Sequence, residues 1–154
     1  MKLSRTRTIF EILDAQIAAL KLDTFIQNCL AQYLAVVFYA EMEERIADIV
    51  SQQLQKFTNT LIGRYLAANL DKIIRRTPKS EIADLLSNFG DEFKLAFNKL
   101  ISDTDVSIYS NVITSRHGVG HRRGSNITML EIHSGIEAAE KILDALISCF
   151  DDHP

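Results

Sequence analysis

Proline, glycine and cysteine are all scarce in this chain. Two prolines and six glycines in 154 residues leave little loop, so regular structure has to occupy most of the length. The two cysteines, Cys29 and Cys149, follow no Cys-x-x-Cys spacing and form no disulfide framework; their apolar helical surroundings read as those of core thiols in a reducing compartment. Long hydrophobic runs are missing too. The longest, Tyr33 to Ala40, is far below the roughly 20 residues that span a bilayer, which argues against a membrane protein. Lys2, Arg5 and Arg7 before Ile9-Phe10 resemble the start of a signal peptide, but Glu11 and Asp14 interrupt its apolar stretch. Export is therefore not expected, and a cytoplasmic setting is. Nucleophile arrangements built on Ser, Cys or Lys and phosphate-cradling glycine loops are also absent, which removes most hydrolase and nucleotidase readings. One absence is local: Val106 to Leu130 contains no acidic residue, although 20 Asp and Glu outnumber 17 Lys and Arg overall.

What is present is ordinary for one soluble globular domain, here residues 1–154, with 47% apolar and 24% charged residues, long enough to bury a core unaided. Helical periodicity runs nearly throughout and no alternating strand pattern stands out. The expected fold is an all-α, up-and-down bundle of about five or six helices with a long second helix. A first helix is predicted over Arg5–Leu20, with Ile9, Ile12, Leu13, Ile17 and Leu20 inward. Asp23-Thr24 start the second, which carries Phe25, Leu30, Leu34, Val37, Phe38, Ile46, Ile49 and Val50 to about Phe57. That length exceeds a small domain, so a bend or an extension beyond the bundle is expected. A weaker helix follows over Leu61–Ile74. Thr77 as N-cap and Pro78 at the first helical position start another through Leu86, Gly90 ends or kinks it, and Asp91–Ile101 makes a short one. Ser102–Asp105 caps a helix with Val106, Tyr109, Val112 or Ile113, Arg116 and Gly120 at spacings of three and four, placing Arg116 near its inward stripe. Thr128-x-x-Glu131 is a capping box for the last helix, whose core pattern is Leu130, Ile136, Ala139, Leu143, Leu146 and Phe150. Residues 151–154 read as a frayed tail.

The acid-free stretch holds Ser115-Arg116-His117-Gly118-Val119-Gly120-His121-Arg122-Arg123-Gly124: three arginines, two histidines and three glycines around one helix end. Arg116 and His121 are five apart, about 140° around a regular helix, so they converge only if the helix ends between them or a second copy supplies the partner. Gly118 and Gly120 each cost about 1 kcal/mol relative to alanine inside a helix and loosen the last turn, which suits close approach by another backbone or a phosphate. Dimerisation through the face carrying these two glycines is the corresponding expectation. A histidine at a helix C-terminus is favoured in its protonated form, and its ordinary pKa of about 6.5 suits proton transfer near neutrality. Arginines bind phosphate oxygens through a bidentate fork and offset the negative helix end. Composition alone yields about 0.2 such Arg-x4-His pairs per chain, so the pair gains weight from its position rather than its existence.

At these residues the chain resembles the HEPN superfamily. Its ribonuclease members carry Arg, a polar residue, three to five further residues and His at the end of a late helix of an all-α bundle. Arg116, His117 and His121 fit that order. The turn His121–Gly124, the last helix from Thr128 and the long second helix with Tyr39–Ile46 also resemble members. The resemblance implies a metal-independent, cofactor-free endoribonuclease of the toxin or phage-defence kind, acting on RNA as a homodimer whose two motifs share one cleft. It implies His121 as general acid or base, Arg116 on the scissile phosphate, His117 orienting the motif, and a 2′,3′-cyclic phosphate product. Arg122 and Arg123 would contact RNA phosphates. Some HEPN toxins have a tyrosine two residues after the histidine that a nucleotidyltransferase antitoxin modifies; Arg123 stands there, so an antitoxin or partner protein of another kind is what stays open. The alternative reading is a non-catalytic HEPN-type helical dimer that binds a partner protein or nucleotide and uses the basic turn for docking.

Other polar residues carry less. Glu41, Glu43 and Glu44 read first as a solvated acidic face with Arg45, although an inward acid, with Glu44 continuing the apolar face, could pair with Arg116 as in some relatives. His117 and His121 lack the acidic partner and the cysteine a metal site would need, so no metal is expected. His133 reads as a surface or packing residue. Arg75, Arg76 and Lys79 form a second basic spot that reads as a solvated turn before a track for RNA.

Overall fold

The computed structural model describes residues 2–56, 61–69, 77–116 and 127–151. Among these it contains seven helices and no strand: α1 (Ser4–Leu20), α2 (Thr24–Gln55), α3 (Leu61–Ala68), α4 (Lys79–Ser87), α5 (Asp91–Leu100), α6 (Asp103–Ser115) and α7 (Met129–Asp151). The all-α bundle expected from periodicity is what forms, with one or two helices more than expected.

Local side chains set three of the helix starts. Asp23 accepts a hydrogen bond from the Ile26 amide at 3.0 Å and opens α2, while Ser102 accepts from the Asp105 amide at 3.1 Å and opens α6. The capping box before α7 closes in both directions: the Thr128 amide donates to Glu131 at 2.8 Å and the Glu131 amide to the Thr128 hydroxyl at 3.2 Å. Each satisfies donors that a helix end leaves orphaned. Thr77 departs from its expected role. Pro78 is the N-cap of α4, and Thr77, fully buried, instead accepts from the Tyr109 hydroxyl with its carbonyl at 2.6 Å. Lys21, in the left-handed region at φ 48°, ends α1 by donating its amide to the Ile17 carbonyl. Gly90, at φ 146°, sits where an L side chain would be strained and lets α4 and α5 fold back on each other.

α7 is the centre of the bundle, packed by α1, α2, α5 and α6. Eleven of its residues are buried, from Ile132 through Phe150, so one helix contributes much of the core. Gly135 permits a close approach of α6, since a Cβ there would run into the Val112 side chain. Phe89, Phe93 and Phe150 close the α4–α5 end, with Phe89 and Phe150 edge to face at 5.1 Å.

α2 has the length expected of it: 32 residues, about 48 Å at 1.5 Å per residue. Its burial begins only at Ala31 and continues to Leu54, so the first two turns extend past the core along with the end of α1. Several expected core positions lie on that extension. Ile12, Leu20 and Phe25 are exposed, as is Leu130 in α7, and Cys29 is exposed while Cys149 is buried. Apolar spacing marks a face but not what packs on it.

Candidate nucleotide-handling end of helix six

The buried stripe of α6 is Tyr109, Val112 and Ile113, and the next inward position is Arg116. The pillar of this helix is Tyr109. Its ring lies 6.0 Å from Phe38 of α2, its hydroxyl reaches Thr77, and burial pushes its phenol well above the usual tyrosine range, so the group stays neutral. One turn on, the buried Ser115 hydroxyl bonds back to the Val112 carbonyl at 2.7 Å. Arg116 then caps the helix, its amide donating to the Thr114 carbonyl.

The half-buried Arg116 side chain lies on Tyr39 of α2, the guanidinium carbon 3.1 Å from the ring centroid. So short an approach requires a face-on stack, because an edge-on guanidinium would drive a nitrogen into the ring. Tyr39 itself is only 6% exposed, which makes the ring a fixed platform. Stacking of this kind contributes about 0.5–2 kcal/mol, more as water is excluded. All five N–H donors of a guanidinium lie in its plane, so the stack itself consumes none of them. A planar fork held by its face is suited to a phosphate.

The acids of α2 serve another end of the bundle. Glu41 is 1% exposed and accepts from the Arg5 amide at 3.0 Å, the Thr6 amide at 2.7 Å and the Thr6 hydroxyl at 2.6 Å. It caps α1, whose own N-cap residue Leu3 has no side chain to do so. A carboxylate there also meets the positive end of the helix dipole. Glu44 pairs with Arg5 at 3.1 Å. The inward acid is therefore Glu41 rather than Glu44, and neither joins Arg116.

The expectations for His117, His121, Arg122 and Arg123, and for Gly118 and Gly120, lie outside the described residues, as do those for Arg75 and Arg76. Lys79 bonds to Asn98 and lies 5.8 Å from the Phe97 ring, so it packs on α5. His133 packs against Phe10 with ring centroids 5.3 Å apart. Among the described residues no group of three His, Cys, Asp or Glu side chains could hold a metal ion, and no helix is long and apolar enough to cross a membrane. A cavity of about 300 Å³ is lined by Lys2, Arg45, Asp48, Ile49, Gln52, Leu143 and Ile147. Its two cations already pair with Asp144 and Asp48, and it contains no motif residue.

An all-α bundle with an arginine held at the end of a late helix has the form of a HEPN domain. The family model described as RiboL-PSP-HEPN matches residues 2–152, and the chain belongs to that family. No curated protein and no solved structure matches it. Sequence reasoning passed over Tyr39 as a site residue, since nothing near it in the chain points to Arg116.

Proposed function

We propose that this HEPN domain is a metal-independent endoribonuclease acting as a homodimer, with Arg116 on the scissile phosphate and His121 as the proton-transfer residue. The observation that carries the reading is the Arg116 guanidinium stacked on buried Tyr39 at the end of α6, five residues before His121 in a HEPN chain. In the reaction, one imidazole takes the proton of a ribose 2′-hydroxyl and the 2′-oxygen bonds to phosphorus. The bond to the 5′-oxygen breaks, and that oxygen takes a proton from a second histidine, leaving a 2′,3′-cyclic phosphate. The Arg116 fork binds the non-bridging oxygens as charge grows on them. His117 orients the motif, and Arg122 and Arg123 hold flanking phosphates without reading sequence. A toxin or defence role, restrained by a partner protein, fits such an enzyme.

The test is cleavage of single-stranded RNA by the purified protein in EDTA. Expected are products ending in 2′,3′-cyclic phosphate and a loss of about 100-fold or more in single-turnover rate for His121→Ala, with RNA binding kept. Activity that vanishes in chelator and returns with a divalent ion contradicts the mechanism. A His121→Ala protein that cuts as fast as its parent, while Arg122→Ala and Arg123→Ala abolish partner binding, leaves the docking module instead.

A further inference from the structure

The outward face of α2 has a composition that the core does not explain. Thr24 to Ala40 contains no Asp, Glu, Lys or Arg, in a chain that is 24% charged. The core accounts for only part of this run, through Ala31, Leu34, Ala35, Phe38 and Tyr39. On the opposite face Phe25 is 76% exposed, Tyr33 56% and Val36 45%, with Cys29 and Ala40 also exposed. Spacings of four, four, three and four place these five residues on a single stripe.

This second stripe adjoins the platform of Arg116. Val36 lies three residues before Tyr39, and Tyr33 three before Val36. Each step moves about 4.5 Å along the axis and about 60° around the helix. The surface of α2 therefore runs without a break from the ring under Arg116, across Val36, to an exposed tyrosine about 9 Å along the axis.

We propose that Tyr33 is a stacking platform for an unpaired base of the RNA whose phosphate Arg116 holds, with Val36 packed against the same nucleotide. The inference rests on the ribonuclease reading and narrows its substrate to a strand whose base is free beside the cleaved bond. Proteins that hold single strands splay the bases onto aromatic side chains while cations hold the phosphates, and such stacking is tolerant of sequence. In this chain the two components are separate. Arg116, Arg122 and Arg123 stand in the acid-free stretch, and α2 supplies aromatic surface without charge. No acid within the run repels the strand, and Glu41, which follows it, is closed to solvent under α1. A duplex fits less well, because its bases are stacked inside and the run offers no Lys or Arg to its backbone. A dry protein seam also fits less well. There the Tyr33 hydroxyl would need a hydrogen-bond partner, whereas beside a nucleotide it stays in water or meets the ribose.

The test is binding of the intact chain, in EDTA, to a short unstructured RNA made uncleavable by 2′-O-methyl groups. An abasic ribose-phosphate oligomer of equal length carries the same charge without the bases. Tyr33→Ala should weaken the RNA by about tenfold or more and leave the abasic oligomer unchanged, while Tyr33→Phe should stay within about twofold of the parent. Arg116→Ala should weaken both ligands. Tyr33 is exposed, so Tyr33→Ala should keep the helical circular dichroism and, by light scattering, the mass of the parent. A Tyr33→Ala protein that binds the RNA like its parent overturns the proposal, as does one that loses the abasic oligomer equally. A fall in mass also overturns it, since another chain would then cover this face. A parent that binds neither ligand contradicts the ribonuclease reading and this inference with it. A parent that binds and cleaves RNA without help from Tyr33 contradicts this inference alone.

Discussion

Two residues of α2, Tyr39 and Glu41, each serve the end of another helix, and they do so in opposite ways. Glu41 meets the N-terminus of α1 with a carboxylate that accepts three short hydrogen bonds and is closed to solvent. Tyr39 meets the C-terminus of α6 with a ring face, on which Arg116 lies flat. The first arrangement spends the acceptor on the fold. The second fixes a cation while asking nothing of its in-plane donors. Capping a helix and seating a cation are thus the work of neighbouring positions of one helix, and the chemistry of each contact differs. An acid at position 39 would have paired with the arginine directly, and a phosphate would then have had to compete with it.

The largest effect expected from breaking this division is on stability. Glu41→Ala leaves the buried Thr6 donors and the half-buried Arg5 amide without an acceptor and removes a helix cap, a loss of about 3 kcal/mol. For a chain of this size that lowers the melting temperature by roughly 6–12 °C, as calorimetry would show. Cleavage measured well below the transition should be unchanged. A Glu41→Ala protein that melts like its parent but loses activity would reverse the assignment.

A smaller effect is expected at Tyr109, which holds α6 in place beneath Arg116. Tyr109→Phe leaves the Thr77 carbonyl without the hydroxyl that now reaches it, a cost of about 1–2 kcal/mol. The raised phenol also gives a pH dependence of known sign. In the unfolded chain Tyr109 ionises near its ordinary value of about 10, whereas in the folded chain burial keeps the proton on. The contribution is therefore complete below about pH 10 and declines as pH rises beyond it. Denaturant melts of parent and Tyr109→Phe should converge in stability above pH 10. Curves that stay parallel contradict a buried neutral phenol.

The same contrast separates what the sequence discloses from what it conceals. Helix starts are local: Asp23, Ser102 and the Thr128–Glu131 box act over three residues, and each appears in the structure where its pattern places it. Arg116 is legible as inward because Tyr109 and Val112 precede it at helical spacing. The surface that Arg116 rests on is not legible, because Tyr39 meets it only through the packing of α2 on α6. Glu41 is concealed for a related reason, since its acceptors are used by a helix that begins far from it in sequence. Hydrophobic spacing misassigns Phe25, Ile12, Leu20 and Cys29 to the core because α1 and α2 run past the elements that could cover them. Phe25 and Cys29 belong to a second apolar stripe of α2, and periodicity alone gives no means of telling a stripe that packs on the bundle from one that faces outward.

The smallest of the expected changes is also the most direct test of the central claim, that Tyr39 holds Arg116 for a phosphate. Single-turnover cleavage of RNA in EDTA, with affinity measured alongside, would be compared for the parent, Tyr39→Phe and Tyr39→Leu. Phenylalanine keeps the ring face and should stay within about twofold of the parent, while leucine keeps an apolar side chain but not the π-surface. A stack contributing about 1 kcal/mol predicts a loss of roughly fivefold for Tyr39→Leu in the ratio of rate to dissociation constant, measured well below the melting temperature. If Tyr39→Leu cleaves and binds like the parent, or if Tyr39→Phe falls as far as Tyr39→Leu, the ring is not what holds the arginine.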